Sequence, residues 1–219
     1  MNGSHMKDMK SIIYSVYSEG CKELTDNYYW IRDRQKQYAD LCEADYKVFN
    51  FKFKDYTALQ FEKLFLLDRL SKDYDNILYL DFDVIPSLTA DNIFKKNFSL
   101  AMLPLIRSEG NCFKSAIKNK THRRYNTIHK SEDIIFNTGV IYATSYMIEQ
   151  LDLISNYNPF VKATNELNNE SYMTWIVEAY GIEYQPLSLS WNYLLDNNDI
   201  NIPVDTNFIH YSNKRFILP

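Results

Sequence analysis

The sequence predicts an α/β fold with a mostly parallel central sheet flanked by helices. Within the first 85 residues, three segments typical of strands alternate with two segments of helical periodicity. Parallel strands need helical crossovers of this kind, and the helices cover the faces of the sheet. The composition fits a folded chain, because 46% of the 219 residues are hydrophobic and 24% are charged.

The first two predicted strands enclose a helix. Residues 11–17 are apolar and β-branched, as in a buried strand. Thr25 or Asp26 could cap a helix that runs to about Ala44. Residues 45–51 alternate between polar and apolar side chains, which indicates a second strand.

A second helix leads into the most informative strand. Residues 57–71 carry leucines at helical spacing. Residues 77–80 have the continuous apolar character of a buried strand, and they run directly into two aspartates before Pro86 ends the segment. Ligands of parallel sheets bind beyond the carboxyl ends of the strands, so this strand end is the expected site.

The second half of the chain is expected to complete the sheet. Residues 134–136 and 140–142 are strand-like and flank Asn137-Thr138-Gly139. The other predicted elements are strands at 99–103, 183–186 and 208–211 and helices at 146–155 and 171–180.

Charge and composition exclude several classes of protein. A net charge of −4 disfavours a general nucleic-acid binder, and 5 glycines are too few for collagen or a glycine-dense phosphate loop. The 3 widely spaced cysteines give neither a disulfide framework nor a zinc pattern. No apolar run has the length of a membrane span and no signal peptide is visible, so we expect a cytoplasmic protein.

The ends of the chain suggest its domain organisation. Residues 1–6 look like the remnant of an expression tag and are set aside. We expect residues 7–219 to form one domain. The chain stops at Pro219, soon after the last candidate segment, which would fit a domain cut from a longer polypeptide.

The segment Asp81-Phe82-Asp83 is the first candidate site. Strand alternation would place Asp81 and Asp83 on one side and Phe82 on the other. Two carboxylates this close stay ionised together only when a cation lies between them or solvent screens them. Carboxylate oxygens suit Mg²⁺ or Mn²⁺, so the segment favours a divalent-cation site, and a solvated strand end is the alternative.

Two classes of enzyme carry aspartates in this local pattern. One transfers sugars from nucleotide donors, and the other is the aspartyl-phosphate phosphohydrolase, in which Asp81 would be the nucleophile. The phosphohydrolases usually carry the motif on their first strand and need a downstream Gly-Asp metal motif. Here the motif falls on about the third strand and the sequence has no Gly-Asp pair. A non-catalytic nucleotide-sugar-binding domain is a third alternative.

Several segments, taken in order along the chain, resemble one family of enzymes. They are Glu62-Lys63-Leu64, Leu80-Asp81-Phe82-Asp83-Val84, Phe136-Asn137-Thr138-Gly139-Val140, Glu170 with the later Gln185-Pro186 and Trp191-Asn192, and Ile209-His210-Tyr211-Ser212-Asn213-Lys214. Together they resemble the retaining hexosyltransferases of the GT-A (Rossmann-like) fold, such as glycogenin and the bacterial lipopolysaccharide galactosyltransferases. The resemblance covers roughly residues 10–215.

The resemblance implies a UDP-hexose donor, a glycan or glycoprotein acceptor, and Mn²⁺ as cofactor, with Mg²⁺ as an alternative. The cation would be held by Asp81, Asp83 and His210 and would neutralise the leaving diphosphate. Lys214 would contact the diphosphate, and Lys63 would contact the donor. Transfer with retention of the anomeric configuration is implied in the same way.

The resemblance also assigns expectations to residues around the donor. The donor-binding candidates are Tyr14, Ser15, Val16 and Tyr17 on the first strand, together with Phe82 and Gly139. The candidates for catalysis near the sugar are Asp83, Asn137, Glu170 and, as a second carboxylate, Asp133. The family often has Asp-Gln where this chain has Glu170-Ser171, which is a departure from its pattern.

The segment 118–130 is basic and polar in an otherwise acidic protein. It could be a solvated loop. It could also be a lid that orders over phosphates, or its adjacent Arg123 and Arg124 could meet an anionic acceptor.

Overall fold

The computed structural model of the chain describes residues 9–19, 22–51, 56–106, 134–164, 168–195 and 202–211. Asp133, Lys214 and the basic segment 118–130 lie outside the described residues, so the expectations for them stay predictions. None of the helices within the described ranges combines the length and the apolar character that a membrane crossing needs.

A central sheet organises the described part of the molecule. The strands are β1 (Ser11–Ser18), β2 (Asp45–Phe51), β3 (Asn76–Leu80), β4 (Val84–Pro86), β5 (Leu100–Ile106), β6 (Ile134–Thr144), β7 (Gln185–Pro186), β8 (Tyr193–Leu194) and β9 (Phe208–His210). Six of them form one sheet in the order β2-β1-β3-β6-β5-β7. Strand β1 is parallel to β2 and β3, and β5 is parallel to β7, whereas β6 runs against both of its neighbours. The mostly parallel sheet that the sequence predicts is therefore confirmed.

Helices cover both faces of this sheet. They are α1 (Lys22–Asp26), α2 (Tyr28–Leu41), α3 (Tyr56–Leu70), α4 (Ser145–Leu151), α5 (Leu153–Thr164) and α6 (Asn169–Ala179), with 3₁₀ turns at Ile93–Lys95 and Leu189–Trp191. Strand β1 alternates between the two cores that result. Ile12 and Tyr14 pack with Leu64 of α3 on one face, and Ile13 packs with Tyr38 of α2 on the other.

Two predicted helices differ from those in the structure. The helix expected to run from a cap at Thr25 or Asp26 to about Ala44 begins at Tyr28, with Asn27 at its N-cap, and ends at Leu41, and the separate short helix α1 precedes it. The helix predicted at 146–155 is divided at Asp152, whose φ of 42° is left-handed and cannot continue a right-handed helix.

A small second sheet joins the C-terminal strand to the end of β3. Its order is β4-β9-β8, and Val84 lies opposite His210 in the β4–β9 pair. Because β4 follows β3 after only Asp81, Phe82 and Asp83, this pairing brings His210 next to the two aspartates.

Candidate metal centre

The two aspartates lie in a turn between strands. Strand β3 is buried along its whole length and ends at Leu80, and the amide of Val84 donates to the carbonyl oxygen of Asp81 over 2.9 Å. Asp81 and Asp83 therefore lie in a turn, and strand alternation does not explain their position as expected from the sequence. The chain turns here because β4 leaves the central sheet to pair with β9.

The turn nevertheless brings both aspartates to His210. One ligand atom from each of Asp81, Asp83 and His210 lies within 4.8 Å of the others. Nε2 of His210 is 3.4 Å from Oδ1 of Asp83, and the two side chains are 7% and 11% exposed. The amide of Tyr211 donates to the carbonyl oxygen of Asp83 over 2.9 Å, which holds the two chain segments in register.

Two donors hold the carboxylate of Asp81. The ammonium of Lys63 lies 3.0 Å from Oδ1, and the hydroxyl of Tyr79 donates to the same oxygen. Lys63 also donates to the carbonyl oxygen of Thr138 over 3.1 Å. Burial alone would raise the pKa of Asp81, but the charges of Lys63 and His210 and these hydrogen bonds lower it below its usual value. Asp81 is therefore held as a carboxylate.

A bulge in β6 contacts the backbone of Asp81. On β5, Met102 pairs with Ile141 but the next residue, Leu103, pairs with Asn137, so residues 138–140 bulge from that ladder. The carbonyl oxygen of Gly139 instead accepts from the amide of Asp81 over 2.7 Å. The segment 137–139, which separates two predicted strands, is thus part of one continuous strand with a bulge.

A network of side-chain amides surrounds His210. Nδ1 of His210 lies 3.0 Å from Oδ1 of Asn192, and Nδ2 of Asn192 donates to Oδ1 of Asn137 over 2.7 Å. The same oxygen of Asn137 accepts from the amide of Gly139 over 2.9 Å. Burial alone would lower the pKa of His210, but the carboxylates of Asp83 and Asp81 raise it above its usual value.

Glu170 completes the site from the first turn of α6. The side chain of Asn168 caps this helix by accepting from the amides of Glu170 and Ser171. Nδ2 of Asn137 lies 3.2 Å from Oε1 of Glu170 and donates to it. Burial raises the pKa of Glu170 above its usual value. Glu170 is therefore a third carboxyl group, and hydrogen bonds through Asn137 and Asn192 connect it to His210 of the Asp-Asp-His cluster.

The ligand atoms suit a hard or borderline divalent cation. Two carboxylates and one imidazole offer oxygen and nitrogen donors at short mutual distance. Carboxylate oxygens favour Mg²⁺ and Mn²⁺, and an added imidazole is better suited to Mn²⁺ than to Ca²⁺. The residues present fit such an ion.

Known structures share this architecture. No family model and no curated protein matches the sequence. The galactosyltransferase LgtC, solved with donor and acceptor sugar analogues, is 10% identical at a TM-score of 0.59 over 91% of this chain and 86% of its own. A glycosyltransferase involved in glycosylation of the PBCV-1 major capsid is 13% identical at a TM-score of 0.57, over 92% and 93% of the two chains. Mouse xyloside xylosyltransferase 1 is 13% identical at a TM-score of 0.52, over 95% and 100%.

The chain has the GT-A fold. The predicted fold class is thereby confirmed, and the three solved structures named above are glycosyltransferases.

Within this GT-A fold, two of the candidates on β1 contact residues next to the candidate metal centre. Tyr14 and Ser15 are fully buried, and Tyr14 donates its hydroxyl to the carbonyl oxygen of Lys63 over 2.5 Å. Oγ of Ser15 lies 2.6 Å from Oε1 of Gln35 and 2.7 Å from the carbonyl oxygen of Leu80. These contacts tie helices α2 and α3 to the end of β3.

The donor-binding candidates Val16, Tyr17 and Phe82 lie in packed surroundings. Val16 and Tyr17 are 6% exposed, and Tyr17 packs against Phe82 with ring centroids 5.0 Å apart. Phe82 also stacks on Tyr28 at 5.2 Å. The Phe82 side chain therefore packs against Tyr17 and Tyr28, and its expected contact with the donor stays a prediction.

Sequence reasoning missed three residues that shape the site. Gln35 is fully buried, and its Nε2 donates to the carbonyl oxygens of Asp81 and Val84 over 3.1 and 2.8 Å, which fixes the turn. Tyr79 holds Asp81, and Asn192 holds His210. Only Asn192 had a sequence signal, since the Trp191-Asn192 pair belongs to the resemblance.

Proposed function

We propose that the chain is a Mn²⁺-dependent glycosyltransferase that moves a hexose from a UDP-sugar to a glycan or glycoprotein acceptor with retention of configuration. The observation that carries this proposal is the convergence of Asp81, Asp83 and His210 at the end of β3 in a GT-A fold. The proposal adds the donor, the metal and the stereochemistry to that fold.

A cation at these residues would act on the leaving group. Asp81, Asp83 and His210 would hold it, and it would neutralise the negative charge that develops on the departing diphosphate. The charges around the site favour such an ion. In the described part of the site, Asp81 and Glu170 lie near the ammonium of Lys63 and Asp83 lies beside the imidazole of His210, so three acidic side chains share the site with one ammonium and one imidazole.

Lys63 is the proposed donor-contacting cation. It is 5% exposed, and its ammonium lies 3.0 Å from Asp81, so it is fixed next to the proposed ion. A buried ammonium held by a carboxylate and the Thr138 carbonyl group adds positive charge where a phosphorylated sugar would bind. Lys214 remains the proposed second contact to the diphosphate.

Glu170 and Asn137 are the proposed residues on the sugar side. Asn137 connects Glu170 to the network around His210, and Glu170 lies in an environment that raises its pKa. A carboxyl group in such surroundings can accept or donate a hydrogen bond to a sugar hydroxyl. Asp133 stays the alternative carboxylate for this role.

A panel of nucleotide sugars tests the proposal. The protein would be incubated with UDP-glucose, UDP-galactose and UDP-N-acetylglucosamine in Mn²⁺, and UDP release and anomeric configuration would be followed by NMR. Release of UDP with formation of a glycoside, or slow hydrolysis without acceptor, is expected for at least one donor. Tight UDP-sugar binding without any turnover on acceptor mixtures would favour the non-catalytic nucleotide-sugar-binding domain instead.

The phosphohydrolase alternative is not favoured. The three solved structures named above are glycosyltransferases, and Asp81 is held by Lys63 and Tyr79 through one oxygen. Beryllium fluoride would form an aspartyl-phosphate mimic at Asp81 if the chain were such an enzyme. That adduct, together with hydrolysis of simple phosphate esters, would overturn the proposed class.

A further inference from the structure

The backbone amide of Gly139 determines how the side-chain amides of Asn137 and Asn192 are oriented, that is, which of their atoms is oxygen and which is nitrogen. The amide N–H of Gly139 can only donate, so the atom of Asn137 that lies 2.9 Å from it must be the oxygen Oδ1. The atom of Asn192 that lies 2.7 Å from this oxygen must then be the nitrogen Nδ2. Asn192 therefore turns its own oxygen toward His210.

The orientation of the Asn192 amide determines which ring nitrogen of His210 carries a hydrogen atom and which is left for the Asp-Asp-His cluster. An amide oxygen can only accept, so Nδ1 of His210, at 3.0 Å, carries the hydrogen. The other nitrogen, Nε2, is the one that faces Asp83 at 3.4 Å. A histidine that binds a metal through one nitrogen is oriented by the hydrogen bond that the other nitrogen makes.

The fold holds Asn192 rigidly in this place. Asn192 is fully buried, and it directly follows the 3₁₀ turn Leu189–Trp191. It directly precedes β8, which is parallel to β9 and pairs Leu194 with His210. The backbone that carries Asn192 and the backbone that carries His210 are thus neighbours in the small second sheet.

The side chains of Asn192 and Asn137 together connect His210 with Glu170. Asn137 accepts from Asn192 and donates to Glu170, so hydrogen bonds run from His210 through two amides to Glu170. Asn192 is the member that touches the candidate metal ligand directly. Asn137 contacts the candidate carboxylate on the sugar side.

We propose that Asn192 is a positioning residue of the metal centre, which holds the His210 ring with Nε2 directed at the cation. This inference rests on the proposed function, since it assumes that Asp81, Asp83 and His210 bind the ion. Asn192 itself touches neither the ion nor the donor. It acts by accepting the hydrogen bond from Nδ1, while its link to Asn137 fixes its own amide.

The test is the affinity of the purified full chain for Mn²⁺ alone, measured by electron paramagnetic resonance without nucleotide. Removing a group that orients a metal-bound histidine weakens metal affinity by roughly 10- to 100-fold in other proteins, and we expect a loss of that order for Asn192→Ala. Asn192→Asp keeps an acceptor for Nδ1–H but loses the donor to Asn137, so its affinity for Mn²⁺ should lie between those of Asn192→Ala and the wild type. In a His210→Ala background, Asn192→Ala should cause no further loss.

Asn207→Ala is the matched control. Asn207 is also a buried asparagine near β9, and its Oδ1 accepts from the amide of Asp91 over 2.7 Å, away from the metal centre. Asn207→Ala should lower the melting temperature and keep the wild-type affinity for Mn²⁺. A merely structural role for Asn192 predicts the same behaviour for Asn192→Ala and would overturn the proposal.

The outcomes separate this inference from the proposed function. If His210→Ala binds Mn²⁺ as tightly as the wild type, the metal centre itself is wrong and the role of Asn192 is wrong with it. If His210→Ala loses affinity but Asn192→Ala does not, only the positioning role is overturned. If Asn192→Ala does not fold, Asn192→Leu decides, because leucine keeps much of the side-chain volume without an acceptor for Nδ1–H, and wild-type affinity for Mn²⁺ in Asn192→Leu would contradict the proposal.

Discussion

The imidazole of His210 lies directly over the α-carbon of Gly139. A β-carbon at position 139 would be 2.4 Å from Cε1 and 2.7 Å from Nδ1 of that ring. The resemblance places Gly139 among the donor-binding candidates, and that role stays a prediction. In the structure the space is taken by a candidate metal ligand, so Gly139 is needed for His210 to reach the cluster.

Gly139→Ala should therefore damage the metal centre. The β-carbon must displace the His210 ring, and overpacking of a tight site typically costs about 1–3 kcal/mol of stability. We expect a lower melting temperature together with weaker Mn²⁺ binding, measured by thermal denaturation with and without the ion. Gly181→Ala is the control, because Gly181 has a φ of 61° and no atom within 4 Å of an added β-carbon. It should lose about 1 kcal/mol through backbone strain and leave Mn²⁺ binding intact.

Lys63→Met tests the buried ammonium next to Asp81. Methionine keeps much of the side-chain volume but leaves Asp81 without its cationic partner. Because Asp81 is partly exposed, the metal-free protein should lose up to about 3 kcal/mol of stability. Mn²⁺ should raise the melting temperature of this variant more than that of the wild type, since the ion then neutralises Asp81.

Turnover distinguishes this role from a purely structural one. With saturating Mn²⁺ and donor, Lys63→Met should still turn over far more slowly than the wild type if Lys63 contacts the donor. Lys36→Met, which removes an exposed lysine paired with Asp40, is the control for losing one surface charge. Wild-type turnover in Lys63→Met would contradict the proposed donor contact.

Glu170 should give the metal-free protein a measurable pH dependence of stability. Burial raises the pKa of Glu170 in the folded state, so between its unfolded and folded pKa values the folded chain binds more protons than the unfolded chain. The contribution of Glu170 to the free energy of unfolding is therefore fully present below its pKa in the unfolded state. It is lost as the pH rises through its pKa in the folded state.

Urea unfolding of the wild type and of Glu170→Gln across this acidic range measures the effect. The wild type should lose stability relative to Glu170→Gln as the pH rises, because the glutamine stays neutral. Glu178→Gln, on the exposed part of the same helix, controls for the loss of one negative charge. If the free energies of unfolding of the wild type and Glu170→Gln differ by the same amount at all pH values, the raised pKa of Glu170 is contradicted.

The sequence predicted those features that depend on local pattern. The crossover from β1 to β3 and the buried strand before Asp81 follow from periodicity over a few residues. His210 could be placed with Asp81 only through the resemblance, because the β4–β9 pairing joins residues more than a hundred positions apart. That pairing is a property of the tertiary structure.

The supporting residues could not be predicted for the same reason. Gln35 and Tyr79 are an ordinary helix residue and an ordinary strand residue in the sequence, and their roles come from hydrogen bonds to Asp81. The helical pattern places Lys63 beside the leucine stripe but does not show that Tyr79 and Thr138 close over it. The bulge at 138–140 depends on the different registers in which β6 pairs with β3 on one edge and with β5 on the other.

Calorimetric titration of UDP, with and without Mn²⁺, tests the central claim most directly. The wild type should bind UDP tightly only with Mn²⁺ and should prefer it to GDP and CMP. Asp83→Asn keeps the shape of the side chain but removes one anionic ligand, so it should lose the Mn²⁺ dependence along with most of the affinity. Asp40→Asn, at an exposed position, should behave as the wild type. UDP binding that is equally tight with and without Mn²⁺, or unchanged in Asp83→Asn, would contradict a metal centre built from Asp81, Asp83 and His210.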